Sequence, residues 1–598
     1  MPKMGFKKLF FFKPSPPPLS VSNNTFSDSL MEENIETARS VITECESQSP
    51  PLFTNTRQQA KQYLHAVITL QSTMQYLVER DSSSQKLVKA QFLMQIAMKR
   101  LQTEFYRILA ENRDCLDPES VSGISSTDHQ SSVSDYDDDF PEDDFQFAGD
   151  SFSTVAMADL KAIAECMVSA GYSKECVKIY ILTRKSIVDE ALYHLGVERF
   201  SFSQLQKMEW EVLETKIKYW LNAVRVATGT LFPGERALCD FIFGSPEKKI
   251  AESCFAEICR EGAMSLFGFP ENVAKCKKTS EKMFRTLDLY EAISDNWQHI
   301  ESIFSFESTT SIRSQAVASQ VRLGEAVRTM LMDFESAIQK ESSKIPVPGG
   351  GIHPLTRYVM NYIAFLADYS NALADIVADW PKNPLPESYF QSPDRDGNNR
   401  SPEVVERFAW LILVLLCKLD AKAELYKDVA LSYLFLANNM QYVVVKVRNS
   451  NLGFLLGDDW LTKHEAKVKE YVSKYERFGW SKVLALLPEN PPAEMAMEQA
   501  KAIFQSFNAA VEETCRAQSS WVVSDPKLRD EIKVWIASKL VQRYWEYYEK
   551  YRGGLESVIR FSPDKLGNYL YEIVLFRAEE SGSVSSHSAS PPHRFKRS

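Results

Sequence analysis

An all-α fold is what the sequence predicts: an elongated, α-solenoid-like rod of stacked antiparallel helical bundles with an N-terminal coiled-coil hairpin. Three observations carry that expectation. From about residue 151 to 577 apolar residues recur at helical spacing. Short Pro- and Gly-rich segments interrupt the pattern, with no sustained strand alternation between them. Residues 54–112 hold two runs of apolar residues that alternate spacings of three and four. At 598 residues the chain is longer than one core can organise, so several domains or a repeat-like body are expected.

Taken in order, residues 1–27 are a basic, Pro/Ser-rich leader, with Lys3, Lys7, Lys8 and Lys13 unopposed by acids. It holds too little apolar surface to fold alone. Residues 28–113 are the N-terminal helices. Within them Ala60, Tyr63, Val67, Leu70, Met74 and Leu77 form one seam, and Leu87, Ala90, Met94, Ala97, Leu101, Phe105 and Ile108 a second. The Ser82–Ser84 turn joins them into a hairpin. Two uses of the seams stand equally: packing on the chain's own body, or receiving helices of partner proteins. For the second, Tyr63, Val67, Leu70, Met74, Leu77, Met94 and Leu101 are the candidate assembly residues.

Residues 114–150 are Ser-rich and then acidic, as in "DYDDDFPEDDF" (Asp135 to Phe145). They lack EF-hand spacing, so they read as a solvated linker. The helical body, 151–577, is punctuated at "TLFPGER", "FGFPEN", "IPVPGGGIHPL", "WPKNPLP", "LLPENPP" and "RFSPD", where helix breaks are expected. "VVVKV" (Val443 to Val447) sits in helical register despite its β-branched content. Residues from about 490 to 577 form the last bundle, and 578–598 a disordered basic tail.

Composition narrows function. The net charge of −10 argues against wholesale nucleic-acid binding. Ten cysteines occur without a CxxC pair, which suits a reducing compartment. No secretory signal is expected, since "LFFF" (Leu9 to Phe12) is too short. "FAWLILVLLC" (Phe408 to Cys417) has about half the ~20 residues that a membrane helix needs.

The catalytic signatures fail one by one. "PGGGIHP" (Pro348 to Pro354) lacks dinucleotide-loop spacing and reads as a hinge between helices. "HEAKV" has Val468 where a zincin needs its second His. No GxSxG elbow or kinase set is present. In "GFLLGDDWLTKHEAKVKEYV" (Gly453 to Val472), Asp458 and Asp459 suggest a carboxylate pair, but no third ligand or nucleophile is near in sequence. Gly457 suits a helix C-cap, and either aspartate an N-cap or the first turn. "TKHE" (Thr462 to Glu465) offers a capping box and an alternative start. Catalysis, cofactors and metals are therefore not expected.

The same body carries a family likeness. "YILTRKSIVDEALYHLGVERFSFSQLQKMEWEVLETKIKYWLNAVRVATGTLFPGERALCDFIF" (Tyr180 to Phe243) resembles the central segment of the seventy-kilodalton subunit of the exocyst, in its plant form. His353 to Leu373, Leu431 to Leu487 and Val523 to Trp545 resemble three more of its blocks, and Met98 to Pro118 its N-terminal helical segment. The likeness is interspersed over roughly 55–575.

The resemblance implies the helical-rod class of tethering subunits, assembling with other exocyst subunits through the hairpin. It implies a non-enzymatic role: holding secretory vesicles at the plasma membrane before fusion. Also implied are a C-terminal bundle that binds phosphoinositides, a Rho-type small GTPase as a partner, and a cytoplasmic location with peripheral attachment to plasma membrane and vesicles. The family's paired basic motif is only half kept: Arg560 is present, but Ser557 stands at the other position. Lys539, Arg543, Lys550, Arg552 and Lys565 complete the lipid-binding candidates, diluted by Glu546, Glu549, Glu556 and Asp564. Arg594, Lys596 and Arg597 of the tail add charge. Because plant relatives have multiplied, the alternative implied role is a specialised adaptor in defence or autophagy, acting partly outside the complete exocyst.

Overall fold

In the computed structural model the described residues are 24–47, 51–53, 57–80, 82–113, 147–244, 248–381, 385–386, 389, 402–487, 495–553, 555 and 558–573. They contain helices and no β-strand. Most of the leader, most of the acidic linker and the tail lie outside them, and the first helix begins at Asn24, inside the stretch read as leader. By internal packing the chain divides into two compact units. One comprises residues up to Phe269 with Ala292–Ser319; the other comprises Pro270–Glu291 and the residues from Gln320.

The first unit opens with helices α1 (Asn24–Ser47), α2 (Arg57–Arg80) and α3 (Gln85–Glu111), which pack on one another. Ser84 caps α3, its hydroxyl accepting from the Lys86 amide at 3.2 Å. The hairpin is thus where the spacing predicts it. Helices α4 (Phe147–Ser169) and α5 (Ser173–His194) then cover α3. Helix α4 begins inside the stretch read as linker. Helices α6 (Phe202–Lys207), α7 (Trp210–Val226), α8 (Phe232–Phe243) and α9 (Lys248–Lys275) follow.

Two expected breaks are not breaks. At "TLFPGER" a π-turn over Ala227–Leu231 carries α7 into α8 without a break, and Pro233 lies two residues past it. At "FGFPEN" α9 runs straight through Pro270. Proline cannot donate to the carbonyl four residues back. That carbonyl, Leu266 O, instead accepts the Trp220 indole N–H at 2.7 Å.

Helices α10 (Met283–Asp295), α11 (Trp297–Ile303) and α12 (Thr310–Lys340) come next. The second unit then adds α13 (Pro354–Leu366), α14 (Ser370–Val377), α15 (Pro402–Ala423), α16 (Val429–Arg448), α17 (Asn451–Leu456) and α18 (Asp458–Ala485). Its last helices are α19 (Met497–Gln518), α20 (Pro526–Tyr551) and α21 (Pro563–Ile573). The valine run lies in α16, with Val443, Val444 and Val447 buried. The apolar stretch at 408–417 lies in α15, and no described helix is long and apolar enough to cross a membrane.

The glycine-rich connection before α13 is clamped. Gly349 and Gly350 have φ of 66° and 71°, and a Cβ on Gly349 would stand 2.5 Å from Ser520 O. Asn438 of α16 donates to Gly350 O at 2.8 Å and to Val522 O at 2.7 Å. Asn439 accepts from the His353 amide at 2.9 Å and the Thr356 hydroxyl at 2.7 Å. Two buried amides of one helix therefore tie two connections together, satisfying backbone groups that burial would otherwise penalise.

Candidate functional site

The C-terminal bundle is built on aromatic layers. Phe507 stacks on Tyr544 at 5.1 Å and Phe504 meets Tyr547 edge-on at 6.3 Å, which fixes α19 antiparallel to α20. The Tyr544 hydroxyl donates to Phe561 O at 2.8 Å, pinning the segment that carries Arg560. Asp525 caps α20 through the Leu528 amide at 2.8 Å, with Pro526 as the first helical residue.

On this frame the six basic candidates do not converge into one pocket. Arg560 is exposed, yet its guanidinium pairs with Glu512 of α19, 48 residues upstream. Arg543 donates to Leu484 O at 3.3 Å. By helical spacing Lys539, Arg543 and Lys550 share one stripe of α20, and Glu546 falls inside it. Arg552 lies 3.6 Å from Glu549. Lys539 and Lys565 are exposed. Ser557 lies outside the described residues.

The hairpin seam is filled from within. Tyr63, Val67, Leu70, Leu77, Met94 and Leu101 are buried, and Met74 is half-buried. Helix α2 packs on α1, α3 and α4, and α3 also packs on α1, α4 and α5. The Tyr63 hydroxyl donates to Ala97 O at 3.4 Å. In this chain the seam side chains pack on the chain's own helices. The outward face of α3 carries a second alternating row, Val88, Phe92, Gln95, Lys99, Gln102 and Tyr106. Val88 and Phe92 are each 64% exposed and Tyr106 58%. Only half of that row is apolar, so apolar spacing does not mark it.

Asp458 and Asp459 form the first turn of α18, against the positive end of its dipole. Gly457, at φ 83°, closes α17 with its amide on Gly453 O at 3.0 Å. "TKHE" falls inside α18 instead of at its start, because the helix begins one turn earlier. Among the described residues no group of His, Cys, Asp and Glu is placed to hold a metal. Burial pushes the Cys166, Cys176 and Cys254 thiols up to about 12, so they stay protonated as small core residues.

Sequence spacing gave no sign of one further feature, a cleft of about 420 Å³ between α16, α18 and α20. Glu476 stands in it and is 7% exposed. Desolvation pushes its carboxyl up to about 7.

Comparison with known proteins agrees with this architecture. Residues 34–111 match the family model for the N-terminal part of exocyst complex component Exo70, and residues 218–572 match the model for the C-terminal part of the Exo70 exocyst complex subunit. Exocyst complex component EXO70B1 of Arabidopsis thaliana is 33% identical over 484 residues, which cover 78% of this chain and 75% of that protein. EXO70A1 of the same plant is 31% identical over 542 residues, 86% of this chain and 83% of the relative. The crystal structure of S. cerevisiae Exo70 covers 93% of this chain and 99% of its own, with a TM-score of 0.57 at 16% identity, so the all-helical fold is shared. Two family models in the right order, with relatives above 30% identity across most of both chains, place this chain in the Exo70 family of exocyst complex subunits, in its plant form.

Proposed function

We propose that this chain works by binding, without chemistry, as an exocyst subunit that helps tether secretory vesicles at the plasma membrane before fusion. Family membership across both the N- and C-terminal models is the observation that carries this reading. Assembly with other exocyst subunits is assigned to the helical hairpin of 54–112. Because the inner seam is occupied, the outward row of α3 with Val88, Phe92 and Tyr106 is the face offered to a partner helix. Membrane contact is assigned to the basic residues of the C-terminal bundle, with Lys539 and Lys565 exposed and Arg560 able to exchange Glu512 for a lipid phosphate. Weak single contacts suffice when several subunits bind one membrane, since the second event becomes intramolecular. A Rho-type small GTPase belongs to the same reading as a regulator.

Sedimentation of the full chain with liposomes, with and without a phosphoinositide bisphosphate and at two salt concentrations, tests the membrane half. Salt-sensitive binding that falls roughly fivefold per basic residue removed is expected for Arg560→Ala and Lys565→Ala. A specialised adaptor acting partly outside the complex is the second reading, and the internal pairing of Arg560 with Glu512 supports it. Absence of liposome binding by the unaltered chain would transfer the weight to that role.

A further inference from the structure

The cleft containing Glu476 has the makings of a peptide site. Its apolar wall is Val444, Val468 and Val472 on one side and Leu528, Ile532 and Trp535 on the other. At the rim Arg448 is paired with Glu465, and exposed Lys469 and Lys527 are offset by exposed Glu531. Glu476 differs from all of these. Among the described residues nothing donates a hydrogen bond to its carboxylate and no cation pairs with it. Burial alone raises its proton affinity, with no charged neighbour contributing. A buried carboxylate in that position costs free energy until a cation reaches it. The cleft therefore suits one long cationic side chain whose stem lies on valines, next to an aromatic ring that meets Trp535.

The chain carries such a segment. Residues 574–598 lie beyond the described residues and contain His593, Arg594, Phe595, Lys596 and Arg597 in succession. The departure point is close. Helix α21 runs antiparallel to α20, since Gly567 faces Val541 and the Tyr571 ring lies 5.3 Å from Lys533 Nζ. The chain thus leaves Ile573 toward the N-terminal end of α20, the end that lines the cleft. Lys533 and Val541 lie on the side of α20 opposite Leu528, Ile532 and Trp535, so the tail has to cross one helix, about 10–12 Å wide. Some twenty residues separate Ile573 from Phe595, enough for up to about 70 Å of extended chain.

We infer that this cleft is the docking site of the chain's own C-terminal residues 593–597, with Lys596 reaching the Glu476 carboxylate and Phe595 lying against Trp535. The inference does not depend on vesicle tethering or on lipid binding, so its test is separate from theirs.

The experiment places the photo-cross-linker p-benzoylphenylalanine at position 595 of the full chain and maps products by mass spectrometry. Cross-links within one chain to residues 465–476 or 527–535 are expected. Their yield should fall about tenfold in Glu476→Gln, which keeps the side-chain volume, and equally in Lys596→Ala. Cross-links scattered elsewhere, a product that is only a cross-linked pair of chains, or a yield unchanged by both substitutions would each overturn the assignment.

Discussion

Arg184 and Glu235 show how this family member treats buried charge. Both side chains are fully buried, and the guanidinium donates through Nε and Nη2 to Glu235 Oε2 at 3.0 and 2.7 Å, with the Tyr180 hydroxyl donating to Oε1 at 3.4 Å. Such a pair fixes the register of α5 on α8 more than it adds stability, because desolvation offsets most of the attraction. His464 is the opposite case, a buried group kept neutral. Its ring stacks on Trp460 at 3.7 Å and Nδ1–H donates to Trp460 O at 2.7 Å. Desolvation lowers its pKa to about 4. Between that value and the ordinary 6.5 the unfolded chain binds more protons than the folded one, so stability falls as pH drops through this window. At pH 5 the loss approaches about 2 kcal/mol. Urea titrations at pH 7 and pH 5 should show this drop in the unaltered chain and a smaller one in His464→Gln, which cannot be protonated. Equal drops in both would assign the acid sensitivity to other groups.

At the scale of elements the outcome turns on which backbone groups find partners. Apolar spacing sufficed for the hairpin, for the valine run in α16 and for the aromatic bundle, because burial follows from a pattern that is local in sequence. Proline signals were less dependable, because their effect depends on residues far away. Pro270 stays inside α9 because Trp220, 46 residues upstream of Leu266, takes the carbonyl that Pro270 leaves unbonded. Nothing within "FGFPEN" announces that partner. The pairing of the lipid-binding candidate Arg560 is hidden from the local sequence for the same reason, since its partner Glu512 belongs to another helix. The proline case makes a double-mutant prediction. Trp220→Phe strands Leu266 O and should destabilise by about 1–3 kcal/mol. Adding Pro270→Ala restores an amide donor within the helix and should recover about 1 kcal/mol more than the same change made alone. Chemical denaturation of the four chains measures the coupling, and additive effects would show that the indole is not the substitute donor.

For the whole molecule the question is which surface joins it to others. The net charge of −10 opposes contact with any anionic surface except where basic residues gather. Two rows on the same hairpin make opposite predictions. The inner row is core: Val67 is fully buried, and Val67→Asp places an unpaired charge there. It should lower stability by at least 3 kcal/mol and abolish co-purification only by unfolding the first unit. The outer row is exposed, and Val88→Asp with Phe92→Asp should leave the unfolding free energy within about 0.5 kcal/mol of the original. If that row receives a partner helix, the outer pair should nevertheless lose exocyst subunits from affinity-purified complexes, since two buried aspartates at a helical interface cost several kcal/mol of binding. Thermal unfolding and quantitative co-purification, measured on the same chains, separate the two effects. An outer-row variant that folds and still retrieves every subunit would move the assembly surface away from α3.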